Sequence, residues 1–467
     1  MSQSKSIQDD DEAVAWLGRF VHQAGPRYLQ IADFIERALA DGTLRSGDRL
    51  PPQRRLAALL QIDLTTVTRA YDEAKRRNLL VGQGARGTYA AAPKVELAPV
   101  LDLSMIIPPP PADVDFDDLM KQGLSQVLMH SEGDLLMSYH LGGGGDAERA
   151  AGAAWLEPMF GKLPPDHIVV CPGAQSALAA LILASTRPDE VVLCEPVVYP
   201  GLRLAVEQLG RRLVAVASDG DGMRPDALEQ ACRQHGARLV YLNPTLQNPT
   251  THTMPAARRR AIAQMAARCG AAIIEDDPYW LLHDAAPPPL AHYAPKHVHY
   301  VATLSKCLTP GLRTAYVLLP DAALRERFML ALRSFALMST PLATALATQW
   351  IHDGSAARLL AGVREEARAR QQLAHHLLAG TAHVPGDGIH LWLALPSYWT
   401  SQELARAAQA EGLAVLSSDV FQAGDQPPNA IRIALGSIKE RGRLSAALKK
   451  LSQLLARNPG QRRGVVI

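Results

Sequence analysis

From about residue 116, short apolar runs alternate with amphipathic helical segments, and this alternation constrains the fold more than any other feature of the chain. The runs are HIVVC, VVLCE, RLVAVAS, RLVYLN, AAIIED, VHYVATL and AYVLL. Strands separated by helices predict a mostly parallel, doubly wound sheet with helices on both faces. We expect this large domain to cover residues 116–335. Beyond it, HLWLAL, LAVLSS and AIRIAL, again separated by helices, predict a small α+β domain over residues 336–457.

Polar side chains of the types that bind ligands or take part in catalysis follow several of these runs, at the edge where doubly wound sheets bind ligands. Lys306 follows VHYVATL, and Asp276 ends AAIIED with Tyr279 three residues further on. The segment CPGAQSAL follows HIVVC and opens a helix, so its amides are expected to point at an anion. Further candidates are Tyr199 in EPVVYPG, Asn248 in QNPTT, and Thr303, Ser305 and Arg313 in TLSKCLTPGLR.

This set offers a candidate for each group that pyridoxal phosphate requires from a protein. Lys306 is expected to form the Schiff base, and Asp276 to keep the ring nitrogen protonated. Asn248 and Tyr279 are expected to donate to the phenolic oxygen, while Tyr199 stacks on the ring. The phosphate ligands are expected to be the amides of Gly173, Ala174 and Gln175 together with Thr303, Ser305 and Arg313. Each residue alone is a weak signal, because a single lysine or arginine is usually a surface charge.

Taken together, in this order and spacing, these residues resemble the fold-type I aminotransferases of class I over about residues 100–455. The SK…PGLR and DDPY pieces are the specific ones. The resemblance implies a homodimer and an arginine that grips the α-carboxylate of an amino compound, here Arg432 in AIRIALG. Arg432 has an alternative interpretation as a strand arginine in a salt bridge. The resemblance also implies that Tyr139, before GGGG, reaches the phosphate of the partner subunit.

Two positions depart from the aminotransferase pattern. Thr251 replaces the glycine of NPTG, and Ala315 replaces the second glycine of GLRxGY. Both add a side chain close to a backbone turn at the site. The departures argue against efficient turnover more than against binding of the cofactor.

Residues 26–92 follow a different pattern, which predicts a small helical module. YLQIADFIERALADG carries a helical apolar stripe, PPQRRLAALLQ begins with prolines, and Asp63 is placed to cap LTTVTRAYDEAKRRN. LLVGQGARGTYAA predicts a two-stranded wing. Between Arg45 and Arg86, nine lysines and arginines face four acids, a balance of +5 in a chain whose total is +2. This arrangement favours a second helix in the major groove of DNA, although a helical module with a solvated basic face is the alternative.

The pieces SGDRLPPQRRLA, TTVTRAY and ARGTYA resemble the winged helix-turn-helix of the GntR family of transcription regulators. The resemblance implies double-stranded DNA as the partner. Its contact residues are expected to be Arg54 near the second helix, Thr65, Thr66 and Arg69 facing the groove, and Arg86 and Gly87 at the wing tip. Leu64 stands where the family usually has an arginine, so the base preference of relatives does not transfer to this chain.

The remaining segments and the composition indicate where the protein works. We expect residues 1–25 to form a polar lead-in without a signal-peptide core. Residues 93–115, with four consecutive prolines at Pro108 to Pro111, predict a stiff linker, and residues 458–467 predict a flexible tail. The five cysteines show no CxxC spacing, which predicts reduced thiols and no metal centre. The longest apolar run, ALAALILAS, is far shorter than the roughly 20 residues of a membrane helix. We therefore expect a cytoplasmic protein without a membrane partner.

The order of winged helix, proline-containing linker and aminotransferase-like fold is similar to the MocR-like regulators within the GntR family. This resemblance implies a DNA-binding transcriptional regulator that depends on pyridoxal phosphate. It would sense an amino compound, or pyridoxal phosphate itself, through the Schiff base at Lys306. One alternative is an active class I aminotransferase that carries a DNA-binding or vestigial winged helix. A regulator that has lost the cofactor is a third, against which Lys306, Asp276 and Arg313 argue.

Overall fold

The computed structural model describes residues 16–17, 25–82, 84, 87–91, 101–130, 138–378 and 386–458. The chain divides into two compact units, Met1–Pro99 and Val100–Ile467. We refer to them as the first unit and the second unit. Within the described ranges, no helix is both long enough and apolar enough to cross a bilayer.

The first unit has the predicted winged helix-turn-helix arrangement. Its described elements are α1 (Arg27–Ala40), α2 (Gln53–Leu60), α3 (Leu64–Arg76), β1 (Leu80–Gly82) and β2 (Thr88–Ala90). The strands β1 and β2 pair antiparallel as the wing. Asp63 caps α3 as predicted, since its carboxylate accepts a hydrogen bond from the amide of Thr66 at 2.8 Å. The cap fixes the start of α3, which is the helix expected to lie in the major groove. The wing follows α3 in the chain.

One apolar cluster holds the first unit together. It joins Ile35 of α1, Leu56 of α2 and Tyr71 of α3, and the Tyr71 hydroxyl donates to the carbonyl of Pro51 at 2.7 Å. Trp16 also lies in this cluster, with its ring 5.5 Å from that of Phe34. The predicted polar lead-in, residues 1–25, therefore differs from the structure at Trp16, because a large apolar side chain in a polar segment still gains from burial.

The second unit contains the alternating strands and helices. Its strands are β3 (Leu101–Asp102), β4 (Ile168–Cys171), β5 (Val191–Cys194), β6 (Arg212–Ala215), β7 (Ser218–Asp219), β8 (Gly222–Met223), β9 (Leu239–Leu242), β10 (Ala272–Asp276), β11 (Val298–Thr303), β12 (Ala315–Leu318), β13 (His390–Ala394), β14 (Leu413–Ala414), β15 (Leu416–Ser417) and β16 (Ala430–Ala434). Its helices are α4 (Phe116–His130), α5 (Asp146–Phe160), α6 (Ala174–Ser185), α7 (Pro200–Gln208), α8 (Pro225–His235), α9 (Ala256–Arg268), α10 (Leu290–Tyr293), α11 (Ala322–Phe335), α12 (Pro341–His352), α13 (Ser355–Leu377), α14 (Ser401–Ala410) and α15 (Arg441–Leu455).

Seven of these strands form one sheet in the order β4-β12-β11-β10-β9-β5-β6. Only β12 runs antiparallel to its neighbours β11 and β4. Each of the seven apolar runs between residues 167 and 319 contains a strand of this sheet, so the mostly parallel, doubly wound fold is confirmed. Because β9, β10 and β11 are parallel neighbours, their carboxyl ends meet at one edge of the sheet.

Two apolar cores cover the two faces of the sheet, and successive strand residues alternate between them. Val240 and Ile273 point into one core, while their neighbours Leu239 and Ile274 point into the other. This alternation is the period of two that strand geometry imposes. Strands buried on both faces read as continuous apolar runs, which is why they stood out in the sequence.

The small domain is a three-stranded antiparallel sheet, β13-β16-β15, with its own apolar core. The predicted boundary at residue 336 differs from the structure. Trp350 of α12 and Leu359 of α13 belong to the core of the large sheet, whereas Ala374 of α13 belongs to the small core. The long helix α13 thus runs through both domains, and the boundary lies within it.

The predicted linker, residues 93–115, also differs from the structure in its second part. β3 pairs in parallel with β14, Leu103 is buried in the small core, and Ile106 is buried in the core of the large sheet. Apolar side chains before the prolines, including Leu103 and Ile106, pack against the two cores. Residues 101–111 are therefore part of the second unit.

Candidate functional site

Lys306 lies at the edge of the sheet where β9, β10 and β11 end, in the turn that follows β11. Its amine donates a hydrogen bond to the carbonyl oxygen of Ile106 at 2.7 Å. Burial, together with the nearby Arg432 and Arg313, lowers the pKa of Lys306 to about 8. A lysine with this pKa has a usable neutral fraction near neutral pH, which nucleophilic attack on an aldehyde requires.

Asp276 ends the adjacent strand β10 and is buried. Its Oδ2 accepts a hydrogen bond from the Tyr241 hydroxyl at 2.7 Å, and its backbone carbonyl accepts one from the Asn243 amide at 2.7 Å. Its Oδ1 is buried and has no hydrogen-bond partner among the described residues. Burial raises the pKa of Asp276 to about 6, so the carboxylate is mostly ionised at neutral pH. An ionised buried oxygen without a donor fits a cationic N–H such as a protonated pyridine nitrogen.

The start of α6 forms a cradle for an anion. Gly173 caps this helix with φ +91°, and a Cβ built on it would lie 3.0 Å from Nη2 of Arg313. Arg313 makes no ion pair with any described residue, so its guanidinium is available to a ligand. Free amides of Ala174 and Gln175 at the helix start and a nearby cation are the donors that a phosphate group requires.

Two hydroxyls complete the loop beside this cradle. The Thr303 hydroxyl lies 3.1 Å from the Ser305 oxygen and 3.1 Å from the carbonyl of Thr314. The Gln175 side chain points elsewhere, because its Nε2 donates to the carbonyl of Gly201 at 2.8 Å. Gln175 is therefore placed to act through its backbone amide.

We predict that Gly173→Ala weakens the binding of pyridoxal phosphate by on the order of tenfold or more. The new methyl group crowds Arg313, and a φ of +91° is strained for any residue with a Cβ, at roughly 1–3 kcal/mol. Cofactor affinity can be measured by absorbance titration. The control is Gly236→Ala, which has φ +61° and an open Cβ position, and which is expected to leave that affinity unchanged. Equal affinity in the wild type and Gly173→Ala would contradict the cradle.

Arg432 and Asn248 meet at the site, although 184 positions separate them in the sequence. Nη1 of Arg432 donates to Oδ1 of Asn248 at 2.7 Å, and Nη2 donates to the carbonyl of Ser104. The guanidinium lies over the Phe421 ring, 4.8 Å from its centroid, and burial lowers the pKa of Arg432 to about 10. No carboxylate among the described residues pairs with Arg432, so the salt-bridge interpretation finds no support.

The two predicted aromatic residues lie in the same neighbourhood. Tyr199 immediately precedes α7, and the nearby Asp276 adds to the effect of burial in raising its pKa. Tyr279 is fully buried, with its ring 5.4 Å from that of His390. Burial also raises the pKa of Tyr279, which keeps its phenol protonated and able to donate. Tyr139 is 75 % exposed, and its role at a second subunit stays a prediction.

Several site residues were missed by the sequence analysis. Tyr241 could have been found, because a tyrosine in the buried strand β9 needs a partner for its hydroxyl. Asn243 follows that strand directly and carried a weaker signal. Ser104 and Ile106 carried none, since they act through backbone carbonyls within a segment predicted to be a linker.

The two departures from the aminotransferase pattern have different structural consequences. Thr251 has φ +61°, a left-handed conformation that is costly for a β-branched residue and explains why glycine suits this turn. Its amide donates to the carbonyl of Gln247 at 2.7 Å, so the turn forms despite the cost. Ala315 lies in regular strand β12, opposite Thr303 and Cys171.

In the first unit, the predicted DNA contacts fall into two groups. Arg54, Thr65 and Arg69 are exposed, and the Arg69 guanidinium lies 4.3 Å from the centre of the Tyr28 ring. Thr66 also serves the cap of α3, because its amide and its hydroxyl both donate to the carboxylate of Asp63, at 2.8 and 2.7 Å, and its contact with DNA stays a prediction.

The wing and the rest of α3 add further detail. Arg86 lies outside the described residues. Gly87 has φ +112°, and a Cβ there would lie 3.2 Å from Nε of Arg49, a basic residue that the sequence analysis did not single out. Arg76 and Arg77 at the end of α3 are paired with Glu73, so they are less available than Arg54 and Arg69.

Comparison with known proteins identifies both units. Residues 117–450 match the family Aminotransferase class I and II, and residues 27–90 match Bacterial regulatory proteins, gntR family. The uncharacterized HTH-type transcriptional regulator YdeF of Bacillus subtilis is 30 % identical over 441 residues, which cover 92 % of this chain and 94 % of YdeF. The vitamin B6 salvage pathway transcriptional repressor PtsJ of Salmonella typhimurium is 30 % identical over 431 residues, which cover 88 % of this chain and 94 % of PtsJ.

Among solved structures, the second unit is similar to LysN, the alpha-aminoadipate aminotransferase of Thermus thermophilus complexed with N-(5'-phosphopyridoxyl)-L-leucine. The TM-score is 0.69 at 25 % identity, covering 76 % of this chain and 92 % of LysN. The fold-type I aminotransferase fold is therefore confirmed. Both families match this chain, and two HTH-type transcriptional regulators align with about nine-tenths of it at 30 % identity, so the chain belongs to the MocR-like HTH-type transcriptional regulators, which join a GntR-family DNA-binding domain to a class I and II aminotransferase domain.

Proposed function

We propose that this regulator binds pyridoxal phosphate at Lys306 and senses a small amino compound that carries a carboxylate. The observation that carries the proposal is the buried Oδ1 of Asp276, which receives no hydrogen bond from any described residue and lies at the same edge of the sheet as Lys306. The protein acts on double-stranded DNA through the first unit. We place the protein in the cytoplasm, together with that DNA.

Different residues of the second unit would bind different parts of the cofactor. The amides of Ala174 and Gln175 and the guanidinium of Arg313 would hold its phosphate, whereas the predicted amide of Gly173 already donates to the carbonyl of Cys171 at 2.8 Å. Asp276 would pair with its ring nitrogen, and Tyr279 and Asn248 would face its phenolic oxygen. When bound, pyridoxal phosphate supplies an aldehyde carbon that can pass from the lysine amine to a free amine. Lys306, with a pKa of about 8, can accept a proton at its Nζ once that amine is free.

Arg432 defines the chemical class of the effector. A buried guanidinium whose described partners are an amide oxygen and a backbone carbonyl can exchange a neutral acceptor for a charged one. Bonds between ions are roughly twice as strong as bonds between neutral groups, so a carboxylate is the favoured ligand. An amine for the cofactor and a carboxylate for Arg432 together describe an amino acid.

Two alternative functions can be tested beside this one. PtsJ is named as a vitamin B6 salvage repressor, which supports the variant in which pyridoxal phosphate itself is the signal. Turnover as an aminotransferase is the second candidate, favoured by the presence of Lys306, Asp276 and Arg432 at one site. The strained turn at Thr251 favours sensing over rapid turnover.

An absorption spectrum distinguishes these outcomes. The purified protein with pyridoxal phosphate is titrated with single amino acids and then with a keto acid. A persistent shift of the visible band with one amino acid supports a sensor and identifies the effector. Repeated bleaching that a keto acid reverses supports an aminotransferase. A protein that acquires no visible band with pyridoxal phosphate would refute the proposal.

We predict that Arg69→Ala weakens DNA binding and lowers its salt dependence by about one phosphate contact, a slope change of roughly 0.9. Arg69 is exposed on α3 and held over Tyr28, which preorganises the guanidinium. Binding to a mixed-sequence duplex can be followed by fluorescence anisotropy at several salt concentrations. Arg76→Ala removes the same charge from the same helix but loses a cation already paired with Glu73 at 2.8 Å. Equal effects of the two variants would show that Arg69 makes no contact of its own.

We also propose a homodimer, because the family resemblance implies that Tyr139 reaches the phosphate bound by the partner subunit. In the second unit, exposed apolar side chains adjoin Tyr139 in sequence or space, including Leu141 and Leu337, which line one cavity. Replacing Leu141 and Leu337 by aspartate is expected to convert the dimer to a monomer in sedimentation velocity. A wild-type chain that sediments as a monomer at micromolar concentration would contradict the dimer.

A further inference from the structure

Leu64 is an apolar side chain that the first unit leaves without a place in its core. It is the first residue of α3 and is 41 % exposed. Among the described residues, Leu60 and Ile62 pack against the apolar cluster of the first unit, whereas Leu64 does not. A single exposed leucine is common at protein surfaces, so the surroundings of Leu64 decide what it does.

The first turns of α2 and α3 lie side by side next to Leu64. The Thr68 hydroxyl lies 2.9 Å from Oε1 of Gln53, the first residue of α2, and 3.0 Å from the carbonyl oxygen of Leu64. Arg54 follows Gln53 and is exposed, and Thr65 beside Leu64 is exposed as well. The leucine therefore lies on a surface that also presents an arginine and a hydroxyl group.

The side of α3 away from this surface is packed into the first unit. Val67, Ala70 and Tyr71 are fully buried, whereas Thr65 and Arg69 are exposed. In a helix-turn-helix, the residues that contact the edges of the bases lie in the amino-terminal part of the second helix. The first residue of α3 is therefore expected at the edges of the bases when the first unit binds DNA.

We propose that Leu64 contacts the 5-methyl group of a thymine in the major groove, and that this contact makes Leu64 a specificity-determining residue. The inference rests on the proposed binding of double-stranded DNA. Thymine differs from the other bases in presenting a methyl group in the major groove, where apolar side chains recognise it. The other base edges present donors and acceptors, which a leucine side chain covers without offering a hydrogen bond. Leu64 therefore favours a thymine over any other base at its position.

Removal of the thymine methyl group tests this contact, because deoxyuridine pairs like thymidine but lacks the methyl. Random duplexes are enriched on the full-length protein, and the enriched pool is then copied once with thymidine and once with deoxyuridine. We expect the wild type to bind the deoxyuridine pool about fourfold more weakly for each methyl contacted, as burial of a group the size of CH₂ predicts. Fluorescence anisotropy gives the affinity for each pool.

Variants at Leu64 show whether this residue recognises the methyl group. Leu64→Ala shortens the side chain and is expected to bind both pools with equal affinity. Leu59→Ala is the matched control, because Leu59 on α2 is 50 % exposed and also lies outside the apolar cluster. Leu64→Gln adds a second readout, since glutamine pairs with the edge of adenine. Enrichment on Leu64→Gln is expected to replace one preferred thymine by adenine, which a purely structural role of Leu64 would not produce.

The outcomes separate this inference from the function on which it rests. If the wild type binds no duplex, the proposed action on DNA fails, and the inference fails with it. If duplexes bind but both pools have the same affinity for the wild type, DNA binding stands and the thymine contact is wrong. The contact is also wrong if Leu64→Ala keeps the preference for thymidine, or if Leu64→Gln enriches the wild-type sequences. A preference that Leu59→Ala keeps and Leu64→Ala loses supports the contact.

Discussion

Replacing Lys306 by alanine is expected to abolish covalent attachment of pyridoxal phosphate and to weaken its retention by about 100-fold, or about 2.7 kcal/mol. Lys306 is the lysine at the edge of the sheet beside Asp276, and its amine is partly neutral because burial and two arginines lower its pKa to about 8. Borohydride reduction followed by intact-mass measurement should label the wild type with one phosphopyridoxyl group per chain and leave Lys306→Ala unlabelled. Lys162→Ala, at an exposed position, is the matched control and should be labelled like the wild type.

The pH dependence of attachment follows from the same pKa. Below pH 8 the amine of Lys306 is mainly an ammonium ion, which cannot attack an aldehyde, so the attachment rate should rise with pH and level off above about 8. An exposed lysine would continue to gain reactivity up to a pH near 10. Stopped-flow absorbance across this range gives the midpoint. A midpoint near 10, or phosphopyridoxyl label on Lys306→Ala at the wild-type level, would place the reactive lysine elsewhere.

The large sheet could be predicted from sequence because its strands are buried on both faces. Burial on both sides forces continuous apolar runs, and the helices between them leave few alternatives to parallel pairing. The ends of parallel strands gather at one edge, so Asp276 and Lys306 could be assigned to one site from their positions after β10 and β11. The same reasoning could not assign distances, partners or the free oxygen of Asp276, which depend on how side chains pack.

The packing of residues 101–107 escaped prediction for a physical reason. A run of prolines reports an extended backbone but not the surface on which that backbone packs. Ser104 and Ile106 contribute carbonyl oxygens, which every residue has, so no side-chain pattern marks them. Thr66 shows a related limit, because a threonine at the start of a helix suits both a cap and a base contact. The structure shows the cap, since the amide and the hydroxyl of Thr66 both donate to Asp63, and the base contact stays a prediction.

Replacing Arg432 by methionine is expected to abolish the preference for ligands that carry a carboxylate. The guanidinium is buried over Phe421, and methionine fills similar space without the charge. Loss of one partner of a buried charged pair costs roughly 2–5 kcal/mol, so the affinity for N-(5'-phosphopyridoxyl)-L-leucine should fall by about 30-fold or more. Binding of pyridoxamine phosphate, which has no carboxylate, should change little. Calorimetry of both ligands on each variant gives the ratio of affinities.

The ratio of affinities shows whether Arg432 binds the ligand carboxylate or only positions Asn248, because Arg432 also donates to Asn248 through a 2.7 Å hydrogen bond. If Arg432 acts only by positioning Asn248, both ligands lose affinity together, and Asn248→Ala reproduces the loss. If Arg432 binds the carboxylate, only the leucine adduct loses affinity, and Asn248→Ala keeps the preference. Arg432→Lys should fall between the wild type and methionine, since lysine keeps a charge but cannot offer two parallel donors. Arg406→Met, an exposed position on α14, should match the wild type for both ligands. An unchanged ratio of the two affinities in Arg432→Met would rule out an amino acid as the effector. In the described part of the site, no other arginine as buried as Arg432 lies beside Lys306 without a carboxylate partner.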